Sequence, residues 1–131
     1  MANYVGPRDA DDILRDGTCD LTGDETTAFT LLGGNHHAAP QSLYVLVPEV
    51  TCGDTLKVTV QSLTDGSSIE VTHTDNIDAC TTVPFLLELP LPFSNDTSWQ
   101  YVLDCGSCAD DFGPVEVWIG LSTEAAQVPA A

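Results

Sequence analysis

Lysine and arginine are nearly absent from this sequence. Twenty Asp and Glu residues are opposed only by Arg8, Arg15 and Lys57, and the formal net charge is −17 at pH 7. Because nucleic acids and anionic membranes are bound through clustered basic side chains, we expect neither as a partner. Strong acidity is also typical of proteins from saline environments, so charge alone does not identify a function.

Long apolar runs are lacking as well. No stretch approaches the roughly 18–20 apolar residues that span a bilayer. Residues 1–9 lack the basic start and apolar run of a signal peptide, so we expect synthesis in a cytoplasm without export by that route. The length of 131 residues and the hydrophobic fraction of 43% predict one domain with one core.

Short runs with β-strand character, separated by turn signals, follow one another from about residue 26. Leu56, Val58 and Val60 alternate with Lys57, Thr59 and Gln61, as in a half-buried strand. No convincing amphipathic helix accompanies these runs. The pattern predicts an all-β fold, an antiparallel β-sandwich of immunoglobulin-like or jelly-roll type with about seven strands. The predicted strands are 28–32, 43–47, 56–61, 69–73, 85–89, 99–103 and 115–121.

Two polar segments flank the predicted sandwich of residues 25–122. Residues 1–24 are acidic, contain both arginines, and are interpreted as an extended N-terminal arm; residues 123–131 are interpreted as a flexible C-terminal tail. Strand alternation predicts that Trp118 faces outward, with Val102 beside it if the last two strands pair. Such a pair is either an interface patch or is covered by the arm or the tail.

The five cysteines, Cys19, Cys52, Cys80, Cys105 and Cys108, all fall between or just outside the predicted strands. Three interpretations remain open: disulfides that brace one end of the sandwich, a zinc site built around the Cys105-x-x-Cys108 pair, or free thiols in a reducing compartment. Because the number is odd, at least one thiol is free or pairs between chains. Whether a metal binds here is left undecided.

Motifs of catalysis are missing from the sequence. It contains no phosphate-binding glycine loop, nucleophile elbow or zinc-protease motif. We therefore expect a protein that is not an enzyme and needs no cofactor.

Several runs resemble small head proteins of tailed bacteriophages. They are residues 14–22 leading into 28–34, then 56–68, where an apolar strand with Val60-Gln61 is followed by an Asp65-Gly66 turn, and later the aromatic strand 99–103. The resemblance extends over residues 14–121 and rests on pattern and spacing. The cysteines depart from it, since the corresponding loops of such proteins are usually rich in Gly, Ser and Thr.

This resemblance implies a capsid decoration (cement) protein. Such a protein is a β-sandwich that binds the major capsid protein on the outer face of the virion, as a trimer or dimer, and stabilises the shell. The arm would then hold the capsid contacts, and the candidate interface residues are Tyr4, Arg8, Ile13, Leu14, Arg15, Val102 and Trp118. The alternatives are another virion β-module (a head fibre, tail or host-surface-binding domain) or a small enzyme or metal-binding domain of a halophile.

Overall fold

A computed structural model describes residues 13–31, 40–50, 55–63, 69–70, 75–77, 82–91, 97–105 and 112–122. These ranges contain nine β-strands and no helix. The strands are β1 (Ile13–Arg15), β2 (Glu25–Thr30), β3 (Gln41–Val47), β4 (Leu56–Ser62), β5 (Ile69–Glu70), β6 (Asp75–Ile77), β7 (Phe85–Pro90), β8 (Ser98–Asp104) and β9 (Glu116–Leu121).

The strands form two antiparallel sheets. The first sheet has the order β1-β9-β3-β7, and the second has the order β2-β8-β4-β5, with β6 also paired to β4. The predicted antiparallel β-sandwich is therefore confirmed.

Strand pairing in this sandwich is nested. The first described strand pairs with the last, β2 pairs with β8, β3 with β7, and β4 with the short β5 and β6. A long antiparallel hairpin rolled upon itself gives this order, which is that of a jelly roll. Of the two sandwich types that the sequence left open, the described strands have the jelly-roll arrangement.

One hydrophobic core lies between the two sheets. Alternate residues of the central strands point into it, including Val45 of β3, Val58 of β4, Tyr101 of β8 and Val117 of β9. Trp99, on β8, is fully buried and is the largest of these side chains. Sheet-on-sheet packing of this kind keeps the inward face of each strand apolar and leaves the outward face to polar residues.

All seven predicted strands overlap observed ones, and two strands were not predicted. One of these, β1, lies inside the predicted N-terminal arm and pairs with β9. Leu21, also in that arm, is fully buried in the core. Residues 13–24 are therefore part of the sandwich, because β1 is the edge strand of the first sheet and Leu21 is packed in the core between the sheets.

Tyr44 and Trp118 form a stacked pair on the outward face of the first sheet. They are cross-strand neighbours, their rings are 5.6 Å apart, and both are buried. Gly120 gives the Tyr44 ring room, since a Cβ there would lie 3.3 Å from its Cε2 atom. Val102 lies on β8 in the second sheet, so the predicted patch of Trp118 and Val102 does not form.

Gly113 anchors the segment before β9 in a left-handed conformation, with φ of 67°. Its carbonyl accepts hydrogen bonds from the backbone N–H groups of Leu21 and Val115, both at 2.9 Å. A Cβ at this position would lie 2.9 Å from the carboxylate of Glu49. The turn therefore requires glycine, and it holds the buried Leu21 segment against the start of β9.

We expect Gly113→Ala to lower the free energy of unfolding by about 1–2 kcal/mol, because an L-residue is strained at this φ. Urea denaturation followed by tryptophan fluorescence measures the change. Gly17→Ala is the matched control, since its Cβ would meet only the Pro114 carbonyl oxygen at 3.6 Å, an ordinary contact. Equal stabilities of the two variants would contradict the assignment.

Candidate functional site

Arg15 ends β1, and Glu25 begins β2, so the two residues bracket the crossover between the sheets. The arginine side chain is 10% exposed and the glutamate side chain 35%. Arg15 Nε donates to Glu25 Oε1 at 2.9 Å, and a terminal nitrogen of the guanidinium donates to Oε2 at 3.0 Å. This bidentate ion pair joins the last residue of β1, in the first sheet, to the first residue of β2, in the second sheet.

The remaining N–H groups of Arg15 bind backbone carbonyls. One terminal nitrogen donates to the carbonyls of Cys19 at 2.9 Å and Val115 at 2.6 Å, and the other also reaches the carbonyl of Asp20 at 3.3 Å. Every N–H of the guanidinium thus has an acceptor within the chain. We call Arg15, Glu25 and these three carbonyl groups the Arg15 network.

Burial and neighbouring charges shift the pKa values of two residues at this network, Arg15 and Tyr101. The hydrogen bonds that Arg15 donates to Glu25 raise the pKa of Arg15 above its ordinary value, against the opposing effect of burial. Burial likewise raises the pKa of Tyr101, which lies within electrostatic range of both residues. Arg15 and Tyr101 are therefore held in their protonated forms at neutral pH.

The crossover itself has ordered local structure. The Thr18 hydroxyl donates to Asp16 Oδ1 at 2.5 Å, and the Thr18 backbone N–H reaches the same oxygen at 3.3 Å. Asp24 Oδ1 accepts the backbone N–H of Cys105 at 2.7 Å, which ties the far end of the crossover to the end of β8. A turn of this kind is favoured because a short Asp side chain replaces a backbone acceptor.

The predicted interface residues of the arm have separate outcomes. Tyr4 and Arg8 lie outside the described residues. Ile13 and Leu14 are half-buried in β1, and Leu14 packs against the core. The guanidinium of Arg15 is engaged in the Arg15 network, and contact of Arg15 with a partner stays a prediction.

Two of the five cysteines lie within the described residues, and they differ in state. Cys105 is disulfide-bonded and nearly buried. Cys19 is a free, exposed thiol. Cys52, Cys80 and Cys108 lie outside the described residues. A disulfide at Cys105 agrees with the first of the three interpretations and removes its sulfur from the set of available zinc ligands.

In the described part of the chain, no group of three or more His, Cys, Asp and Glu side chains could hold a metal ion. No helix there is long and apolar enough to cross a membrane.

Glu88 of β7 gathers hydroxyl groups on the outward face of the first sheet. Its Oε2 atom accepts from Ser42 at 2.6 Å, from Ser122 at 3.1 Å and from Tyr44 at 3.4 Å. Tyr44 is also hydrogen-bonded to the carbonyl of Leu121. Sequence reasoning missed this cluster, because its members come from three separate segments and show no local motif. Its effect is to tie the segment after β9 to β3 and β7.

The outward face of the second sheet has a different character. On β2, β8 and β4 it contains one acid and one base, Asp104 and Lys57, which are cross-strand neighbours, and β5 adds Glu70 in register with Gln61. The side chains of Gln61 and Gln100 are hydrogen-bonded at 2.5 Å in its middle. The outward-facing residues of β2, β4 and β8 are Thr26, Ala28, Thr30, Lys57, Thr59, Gln61, Ser98, Gln100, Val102 and Asp104.

We expect Arg15→Met to lower the free energy of unfolding by about 3 kcal/mol, because it leaves a part-buried carboxylate and several carbonyls without their donor. Arg15→Lys should lose about 2 kcal/mol, since an ammonium cannot reproduce the fork. Urea denaturation at constant ionic strength measures both changes.

Lys57→Met is the charge-matched control for Arg15→Met. It removes the same charge from an exposed position and should change stability by less than about 0.5 kcal/mol. If both methionine variants lose the same amount, the loss reflects net charge, and the structural role of the Arg15 network is refuted.

Peptide mapping without reduction should find Cys105 in a disulfide-linked peptide and Cys19 modified by an alkylating reagent. Reduction under denaturing conditions should release the Cys105 thiol. Recovery of alkylated Cys105 from the unreduced, oxidatively purified protein would contradict the assignment.

Comparison of the chain with models of protein families, with curated protein sequences and with solved structures found no match.

Proposed function

We propose that this chain is a structural protein of a bacteriophage virion that binds the outer face of the assembled capsid and stabilises it. Its partner is the major capsid protein, and it acts without catalysis or a cofactor. The observation that carries the proposal is the nested jelly-roll order, joined to the resemblance of residues 14–121 to small phage head proteins. Jelly rolls recur in viral capsid proteins.

Charge supports the same role. A net charge of −17 repels free DNA and other acidic surfaces, a useful property on the outside of a particle filled with nucleic acid. Within the described residues, Arg15 is occupied internally, and Lys57 is an exposed base. A partner that binds the described part of the chain therefore meets a surface with very little positive charge. A basic or an uncharged site on the capsid would suit such a surface.

The internal bracing supports a mechanical role. The Arg15 network joins the two sheets, the Glu88 cluster joins three segments of the first sheet, and Cys105 is disulfide-bonded. The Arg15 network opposes separation of the two sheets, and the Glu88 cluster opposes separation of segments within the first sheet. A protein that reinforces a shell under internal pressure benefits from such resistance.

Cosedimentation with capsids that lack this chain tests the proposal. We expect saturable binding, extra density on the outer lattice in a particle reconstruction, and a higher temperature of capsid disruption. The wild-type chain unfolded by urea and reduced is a suitable negative control for the binding assay.

Jelly rolls also recur in lectin domains, and this favours one second candidate, a host-surface-binding virion module. It predicts binding to a glycan array and density on fibres or tails, away from the shell lattice. Failure to bind capsids at saturating protein concentration, together with glycan binding, would replace the decoration proposal with this one.

A further inference from the structure

Strand β2 is an edge of the second sheet. Within the described residues it pairs with β8 on one side, and no strand pairs with it on the other. Its pairing with β8 is regular from Glu25 to Thr30, without a bulge. Six residues are an ordinary strand length, so β2 is long enough to pair with a second neighbour.

The hydrogen-bond pattern shows which backbone groups of β2 point away from β8. The N–H of Leu31 donates to the carbonyl of Thr97 at 2.9 Å, one step beyond the end of the ladder. Because hydrogen-bonded and non-hydrogen-bonded pairs alternate in an antiparallel ladder, every second residue of β2 points its N–H and C=O groups outward. These residues are Thr26, Ala28 and Thr30, and they are exposed. We call their N–H and C=O groups the open edge.

The other sheet edges in the described part of the chain carry devices that prevent strand addition, which are shortness, bulges, prolines and charges. Strand β1 has three residues and a register irregularity, and β5 and β6 have two and three residues. Strand β7 follows Pro84 and ends at Pro90. Strand β2 contains no Pro, Gly or Lys, and its one charge, on Glu25, is bound by Arg15. It is therefore the edge most open to another strand.

We propose that the open edge binds an extended segment of the major capsid protein, which adds a strand to the second sheet beside β2. This inference rests on the proposed function and names the contact through which the protein would attach. In strand addition, backbone hydrogen bonds supply affinity and alternate side chains supply specificity.

The residues of β2 define the chemistry of that segment. On the outward face of the sheet it lies beside Thr26, Ala28 and Thr30, whose small side chains pair well with Thr, Ser or Val. On the inward face it lies beside Thr27 and Phe29, and because Phe29 belongs to the core, apolar residues are favoured there. The segment therefore alternates small polar and apolar residues, and it has no proline where its N–H meets the open edge.

Charge selects an uncharged strand as the occupant. From Thr26 to Thr30, β2 has no charged side chain, although the net charge of the chain is −17. A segment rich in carboxylates is repelled by the rest of the molecule, whereas an uncharged segment is not. A second copy of this chain has the same net charge and is repelled for the same reason.

Ala28→Pro tests the inference by cosedimentation with capsids that lack this chain. Proline removes the outward N–H at this position and places its ring in the path of an added strand, but it removes no hydrogen bond to β8. We expect the dissociation constant for capsids to rise at least about tenfold. Ala28→Thr is the matched control, because it keeps the N–H and copies the side chains of Thr26 and Thr30; its dissociation constant should stay within about threefold of wild type. Circular dichroism establishes that both variants are folded.

Amide hydrogen exchange of the wild-type full chain gives a second measurement that needs no variant. In the free chain, the amides of Thr26, Ala28 and Thr30 should exchange faster than those of Thr27 and Phe29, which bond to β8. On capsids, exchange of the three open-edge amides should slow at least about tenfold. Mass spectrometry with fragmentation to single residues measures both states.

The outcomes separate this inference from the proposed function. If the wild-type chain binds capsids but Ala28→Pro binds as tightly as Ala28→Thr, or the open-edge amides exchange as in the free chain, the inference is overturned and the proposed function stands. Protection of these amides that increases with the concentration of the free chain would assign the edge to a second copy and also overturn it. Absence of wild-type binding overturns the proposed function, and this inference with it.

Discussion

The Arg15 network is the contact on which the closure of the sandwich depends. Its guanidinium connects the end of β1, the beginning of β2 and the residue before β9. Strands β1 and β9 belong to the first sheet and β2 to the second, so these contacts link the two sheets. In a chain with twenty carboxylates and three Lys and Arg residues, one of these few cations is used for this purpose. The bidentate geometry explains why arginine, and not lysine, occupies the position.

The central strands of both sheets could be predicted from the sequence, because the alternation of apolar and polar residues is a local property. Lys57, Thr59 and Gln61 face away from the core as their spacing indicates. The two missed strands, β1 and β6, are each three residues long and lack a full alternating run. The order of the strands could not be predicted, since an alternating strand pairs equally well with any other of the same kind.

The predicted grouping of the candidate site residues depended on the strand order, which the sequence did not provide. Trp118 and Val102 form one patch only if β8 and β9 are neighbours, and the nested pairing puts them in different sheets. The pairing of Arg15 with Glu25 likewise follows from strand order. The odd number of cysteines predicted at least one thiol that is free or pairs between chains, a conclusion that needs only counting, and Cys19 is a free thiol in the described part of the chain.

Nested pairing has a consequence for biosynthesis. Since β1 pairs with β9, and Arg15 binds the carbonyl of Val115, the first described strand emerges from the ribosome long before its partner does. The first sheet cannot be completed until residue 121 is available, whereas β3 can meet β7 and β4 can meet β5 earlier. During synthesis the inner strand pairs can therefore form before the outermost pair, which depends on contacts between residues far apart in the chain.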